Sequence, residues 1–164
     1  MSLLNKMVSA SKNEFASIVS DGTESDVNGF VDTGSYAFNA LLSGSVYGGM
    51  PDNKILALAG ESATGKTYFA LGMCKKFLDD NKDSVVLYFD TEQAVTSEMF
   101  VERGIDPSRI GVFPVATVEE FRHQAITIVE QYKELPKAEK KPMLIVLDSL
   151  GMLSTNKEMA DTAD

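Results

Sequence analysis

The chain has 164 residues, 44% of them hydrophobic, with 24 acidic against 15 basic side chains and a formal net charge of −9. That length and apolar content suffice for one ordinary domain with its own core, and the acidic balance excludes a chain-wide electrostatic footprint for nucleic acid or an anionic membrane. The single cysteine, Cys74, excludes an internal disulfide, and no stretch has the apolar length of a membrane span or the layout of a signal peptide. A soluble cytoplasmic protein is the expectation, and any DNA contact must come from a local patch or from other sequence.

In chain order, "LLNKMVSASKNEFASIV" places Leu4, Met7, Val8, Phe15, Ile18 and Val19 at helix-face spacings, interrupted around Ser9 to Asn13. It predicts an amphipathic helix ending near "SDGTESD". A Gly- and Asp-rich segment to about Gly29 predicts a linker. Residues 1–30 thus read as an N-terminal helix or arm with its linker, the helix either capping its own domain or docking on another subunit.

From residue 31 short apolar runs alternate with amphipathic segments, the pattern of a parallel sheet with crossover helices. The runs are "KILALAG" (54–60), "SVVLYFD" (84–90), "IGVFPV" (110–115) and "MLIVLD" (143–148), each predicted to be a strand buried on both faces. Helices are predicted at about 66–80, 96–103 and 117–134, the last with Val118, Phe121, Ala125, Ile128, Val129 and Tyr132 on one face. His123 falls off that face and reads as a solvated side chain. Cys74 reads as a small buried apolar residue on the first of these helices. The basic cluster "KAEKKP" (137–142) reads as solvated surface.

Between the first run and the first helix lies "GESATGKT", residues 60–67, a full G-x-x-x-x-G-K-[ST] pattern. Gly60 and Gly65 permit backbone conformations that a Cβ obstructs, so successive N–H groups can converge on phosphate oxygens at a helix start. Residues Gly60, Glu61, Ser62, Ala63, Thr64, Gly65, Lys66 and Thr67 are therefore the expected ATP-phosphate site. Lys66 reaches the β and γ phosphates, and the Thr67 hydroxyl ligates Mg2+. Asp148, at the end of a second apolar run, is the expected partner for that metal. Taken alone, it reads better as a helix cap or a turn residue; with the P-loop upstream the metal reading wins.

Hydrolysis of ATP needs a group that orients water. Ser149 follows Asp148, so ATPases with a paired Asp-Glu at that place are disfavoured, and Glu158 falls in a region the pattern does not place. The other candidates are Asp90 and Glu92 in "YFDTEQAVTSEMF" (88–100), at the strand edge where parallel sheets present ligand-binding groups. Either fits a helix cap as well. Glu92 is the better catalytic candidate because it lies farther beyond the strand end.

The set "GESATGKT", "YFDTEQAV" and "LIVLDSL", with the lead-in "FVDTGSYAFNALLSGSVYGGMPDNKILALAG", resembles the RecA-type recombinases, most nearly the phage UvsX-like members, over about residues 30–155. "VERGIDPSRI" adds a weak match. The resemblance implies an α/β, three-layer P-loop NTPase core with a parallel sheet and helices on both faces, here residues 31–164, apparently truncated after the Walker B strand. It implies Glu92 as the carboxylate that activates water, Lys66 and Thr67 as phosphate and magnesium contacts, and Asp148 as the Walker B aspartate. It also implies a DNA-dependent ATPase, single-stranded DNA as partner through segments beyond Asp164, and self-association into a helical filament in a bacterial or phage-infected cell. The chain departs from that family at Glu61 and Ser62, where many members have Pro and Glu. It departs again at Thr96 and Met99, where they have an adenine-flanking aspartate and tyrosine. The alternatives are a RecA-fold replicative helicase and a non-hydrolysing recombinase paralogue or loader. Because the family's DNA loops and a core strand between the two Walker strands follow the Walker B motif, the chain alone is expected to bind nucleotide weakly and hydrolyse little.

Overall fold

The computed structural model describes residues 2–13, 15–23 and 25–161. Met1, Glu14, Glu24 and residues 162–164, which fall within the expected arm, linker and core, lie outside the described residues. The chain divides into two compact units, Met1–Ala57 and Leu58–Asp164.

In the first unit, helix α1 spans Leu3–Ala10, capped by Ser2 Oγ accepting the Asn5 N–H at 3.2 Å. The helix expected to run on toward "SDGTESD" stops there. Ser11 Oγ donates to Val8 O (2.7 Å) and accepts from Asn13 N–H (3.2 Å), and Asn13 Oδ1 accepts from Phe15 N–H (3.0 Å). These side chains take the backbone groups that a helix would use. Only a short 3-10 turn, Val19–Asp21, follows.

Strand β1 (Phe30–Val31) pairs antiparallel with β2 (Met50–Pro51), and helix α2 (Tyr36–Ser43) lies between them in sequence. The fully buried Asn39 organises this lead-in. Its Oδ1 accepts from Thr33 N–H (3.0 Å) and Thr33 Oγ1 (2.7 Å), and its Nδ2 donates to Asp32 Oδ1 (2.8 Å) and Val46 O (3.1 Å). A buried amide satisfied on both sides is a specific device, because any lost partner leaves a polar group stranded. Gly49 sits at φ +140, where an added Cβ would stand 2.1 Å from Val31 O. That close approach requires glycine at 49, and at the neighbouring Gly48 an added Cβ would stand 2.0 Å from Ser43 Oγ. The segment expected as a linker is itself tied down: Asp52 Oδ1 accepts from Asn28 N–H (3.1 Å), Asn53 Nδ2 donates to Asp26 O (2.7 Å), and Lys54 Nζ donates to Ser25 O (2.7 Å).

The second unit holds a parallel sheet of order β4-β3-β5. Its strands are β3 (Val85–Asp90), β4 (Ile110–Pro114) and β5 (Met143–Asp148). Around them are α3 (Lys66–Asp80), α4 (Ser97–Glu102), α5 (Val118–Glu134) and α6 (Asn156–Asp161). Asp90 pairs in register with both Pro114 and Asp148, so the three strands end together.

Two sequence expectations need correction. The run 54–60 is not a strand: it makes no ladder among the described residues, and Ile55 is 100% exposed. An apolar run becomes a strand only by pairing its backbone with a neighbour. Burial on both faces holds for β3, where Val86, Tyr88 and Phe89 are fully buried, but not for β4 or β5, which have no buried residue. Among the described residues β4 and β5 flank the sheet and have one strand neighbour each.

Adjacent residues on a strand point to opposite faces. Tyr88 meets Phe100 of α4 edge-on at 5.9 Å, while Phe89 meets Phe121 of α5 at 5.0 Å and stacks on Phe113 at 5.1 Å. Helices α4 and α5 therefore cover opposite faces of β3. Burial of the Tyr88, Phe89 and Phe100 side chains contributes about 2 kcal/mol each. Cys74 is fully buried on α3, and burial pushes its thiol up to about 12. Arg109 ties the end of α3 to the start of β3, donating to Leu78 O, Ser84 O and Ser84 Oγ (3.0 Å each) and to Asn81 O.

Candidate phosphate and metal site

The loop 60–67 enters α3 through a backbone that favours glycine. Gly65 is the N-cap at φ +89 and Ala63 lies at φ +62. Helices α1, α2, α4 and α5 each begin with a Ser or Thr hydroxyl accepting a first-turn N–H. Helix α3 has no side-chain cap. Its first helical bond is Phe69 N–H to Gly65 O at 2.9 Å, so the N–H groups of Lys66, Thr67 and Tyr68 precede the intrahelical ladder. Such a terminus, with its positive dipole end, suits an anion. Lys66 Nζ lies against the loop, donating to Gly60 O (2.9 Å) and Glu61 O (2.7 Å), and Thr64 Oγ1 closes the turn on Glu61 O (2.8 Å).

Thr67 and Asp148 meet. The Thr67 hydroxyl donates to Asp148 Oδ2 at 2.6 Å, joining groups 81 residues apart in sequence. The buried Tyr88 hydroxyl donates to the same oxygen at 2.7 Å. Burial, then the Asp148 hydrogen bond and the nearby carboxylate charges, raise the Tyr88 phenol well above its ordinary value. It therefore stays a neutral donor. Both hydroxyls share Oδ2, and among the described residues Asp148 Oδ1 accepts no hydrogen bond. One hydroxyl and one carboxylate form a hard oxygen set that fits magnesium, which takes few protein ligands and completes its shell with water and phosphate. Among the described residues no group of three or more His, Cys, Asp or Glu that could hold a metal occurs.

The two candidates beyond β3 separate. Asp90, 4% exposed, accepts the N–H groups of Glu92 and Val95 at 3.1 Å each, so its carboxylate is committed to the turn that follows its own strand. Glu92 is exposed, and its Oε1 accepts from Ser149 Oγ at 3.3 Å. Thr91 binds the adjoining strand ends together. Its Oγ1 accepts from Ser149 N–H (2.8 Å) and donates to Ser149 O (3.0 Å), and its N–H donates to Asp148 O (2.9 Å). Glu92 thereby lies beside Ser149, the residue after Asp148, across a peptide bond that is cis.

Other sequence candidates find structural places. Glu158 forms a reciprocal cap at the start of α6, its Oε2 accepting from Thr155 N–H at 2.7 Å while Thr155 Oγ1 accepts from Glu158 N–H at 3.2 Å. The Thr155 hydrogen bonds hold its carboxyl below the usual range. Thr96 caps α4, and His123 is exposed on α5. Tyr88 and Thr91 make contacts here to which motif reading assigns no role, and Ser149 enters that reading only as the place where a second carboxylate is missing. For Tyr88 a signal existed, because a tyrosine in a buried strand needs a hydrogen-bond partner for its hydroxyl.

No family model matches the chain. It is 35% identical over 123 residues to a recombination and repair protein of Enterobacteria phage T4, an alignment covering 75% of this chain and 30% of that protein. It is 25% identical over 142 residues to Protein RecA of Malacoplasma penetrans (strain HF-2), covering 82% of this chain and 40% of that one. The chain thus spans less than half the length of either relative. Over part of its length the chain is similar to a phage recombination and repair protein and to a RecA protein, in line with the resemblance of its three motifs to the RecA-type recombinases.

Proposed function

We propose that this chain is the nucleotide-binding part of an ATP-dependent DNA recombinase built on a three-layer P-loop NTPase core. The observation that carries the reading is the 2.6 Å contact between Thr67 and Asp148, which joins the loop motif to the end of β5. In this reading the uncapped start of α3 and the Gly60–Thr67 loop receive the triphosphate, and Lys66 exchanges its loop carbonyls for phosphate oxygens. Thr67 and Asp148 would hold magnesium, which when bound neutralises charge on the β and γ phosphates. Glu92, placed beside Ser149, orients water for attack and accepts its proton. The partners of the whole protein would be single-stranded DNA and further copies of itself in a helical filament, in the cytoplasm of a bacterial or phage-infected cell.

The test is Glu92→Ala in the full protein. ATP binding is expected to persist while hydrolysis stimulated by single-stranded DNA falls at least about a hundredfold. Unchanged turnover would remove Glu92 from the role. Absence of DNA stimulation in the unaltered protein, or ring-shaped particles that unwind duplexes, would overturn the recombinase reading.

A further inference from the structure

Thr67 and Tyr68 are successive residues of the first turn of α3, and a helix rotates by about 100° per residue. The Thr67 hydroxyl is directed at Asp148, so the Tyr68 side chain leaves the same turn in another direction. Tyr68 is 66% exposed, one residue beyond the phosphate motif. Its ring nonetheless has a fixed companion. The Arg103 guanidinium carbon lies 5.2 Å from the ring centroid, and Arg103 Nη1 donates to Met99 O at 2.9 Å. Arg103 Nε is buried with no hydrogen-bond partner among the described residues. An arginine anchored at one end, laid over an aromatic ring and keeping one unpaired donor, holds that ring in place while most of it stays open to solvent.

A nucleoside triphosphate whose phosphates lie along the start of α3 can reach the side of that first turn with its base. We infer that Tyr68 and Arg103 form the platform for the heterocyclic base, Tyr68 stacking on it and Arg103 fixing the tyrosine ring. The inference rests on the proposed phosphate site and extends it from the phosphates to the base. Stacking engages the face of a base and needs the ring of Tyr68, not its hydroxyl.

Calorimetric titration of the chain with magnesium ATP and, separately, with magnesium tripolyphosphate, which has no base, tests this. Tyr68→Ala is expected to weaken ATP about tenfold and leave tripolyphosphate unchanged. Tyr68→Phe is expected to retain the unaltered ATP affinity, and Arg103→Met to weaken ATP by a smaller factor, about threefold. If Tyr68→Ala binds ATP as the unaltered chain does, or loses ATP and tripolyphosphate together, the base platform is wrong while the phosphate site stands. If the unaltered chain binds neither ligand, the phosphate site fails and the platform with it.

Discussion

Asp90 and Asp148 stand side by side at the ends of neighbouring strands, partners in one register, yet their surroundings give them different work. Asp90 is 4% exposed and accepts two backbone N–H groups from its own turn. Asp148 accepts two side-chain hydroxyls, from Thr67 and Tyr88, on a single oxygen. Backbone donors cannot leave without unravelling the turn, so Asp90 is structural. Hydroxyl donors can rotate, and one of them can turn its oxygen to a cation, so Asp148 is adaptable. Residue type and strand position are the same for both, and only the donors differ.

The sharpest way to break this contrast is Asp90→Ala, which strands two part-buried N–H groups that now meet a buried carboxylate. A stability loss of about 3 kcal/mol is expected in urea unfolding. A loss no larger than that of Asp148→Asn would show that the two carboxylates are equivalent after all. A smaller effect is expected from Tyr88→Phe, which deletes one hydroxyl and leaves the ring against Phe100. Magnesium-dependent ATP affinity should fall about tenfold, as for loss of an outer partner of a metal ligand.

Tyr88→Phe also has a pH signature. The folded phenol titrates above the ordinary 10.0, so near and above that pH the folded chain holds a proton that the unfolded chain has released. The stabilisation from this group is complete below about pH 10 and is lost as pH rises toward the folded value. Thermal midpoints measured at about pH 9 and about pH 11 should therefore differ less in Tyr88→Phe than in the unaltered chain. An equal alkaline loss in both would remove Tyr88 from the account.

Much of the second unit was legible in the sequence. The run 143–148 and the helix 66–80 occur with the bounds their patterns gave, because continuous apolar runs and a glycine-led helix start are local signals. The meeting of Thr67 with Asp148 was expected from motif logic and is realised by a direct hydrogen bond. What periodicity could not supply was pairing. The run 54–60 is as apolar as its neighbours, and strand formation depended on a partner that composition does not reveal. The N-terminal helix was overextended because Ser11 and Asn13 compete for the backbone through side-chain bonds that hydrophobic spacing does not register. Between Asp90 and Glu92 the sequence favoured Glu92 by its distance beyond the strand end, but it did not show that the Asp90 carboxylate is bound to its own turn. Tyr68 and Arg103 are far apart in the chain and join only when α3 and the end of α4 come together.

The central claim is that Asp148 and Thr67 form a magnesium-assisted phosphate site. Its most direct test is ATP affinity by calorimetry with magnesium and with a chelator, in the unaltered chain and in Asp148→Asn. The expected result is tighter binding with magnesium in the unaltered chain and no magnesium effect in the variant, both folding alike. Magnesium enhancement that persists undiminished in Asp148→Asn would contradict the claim.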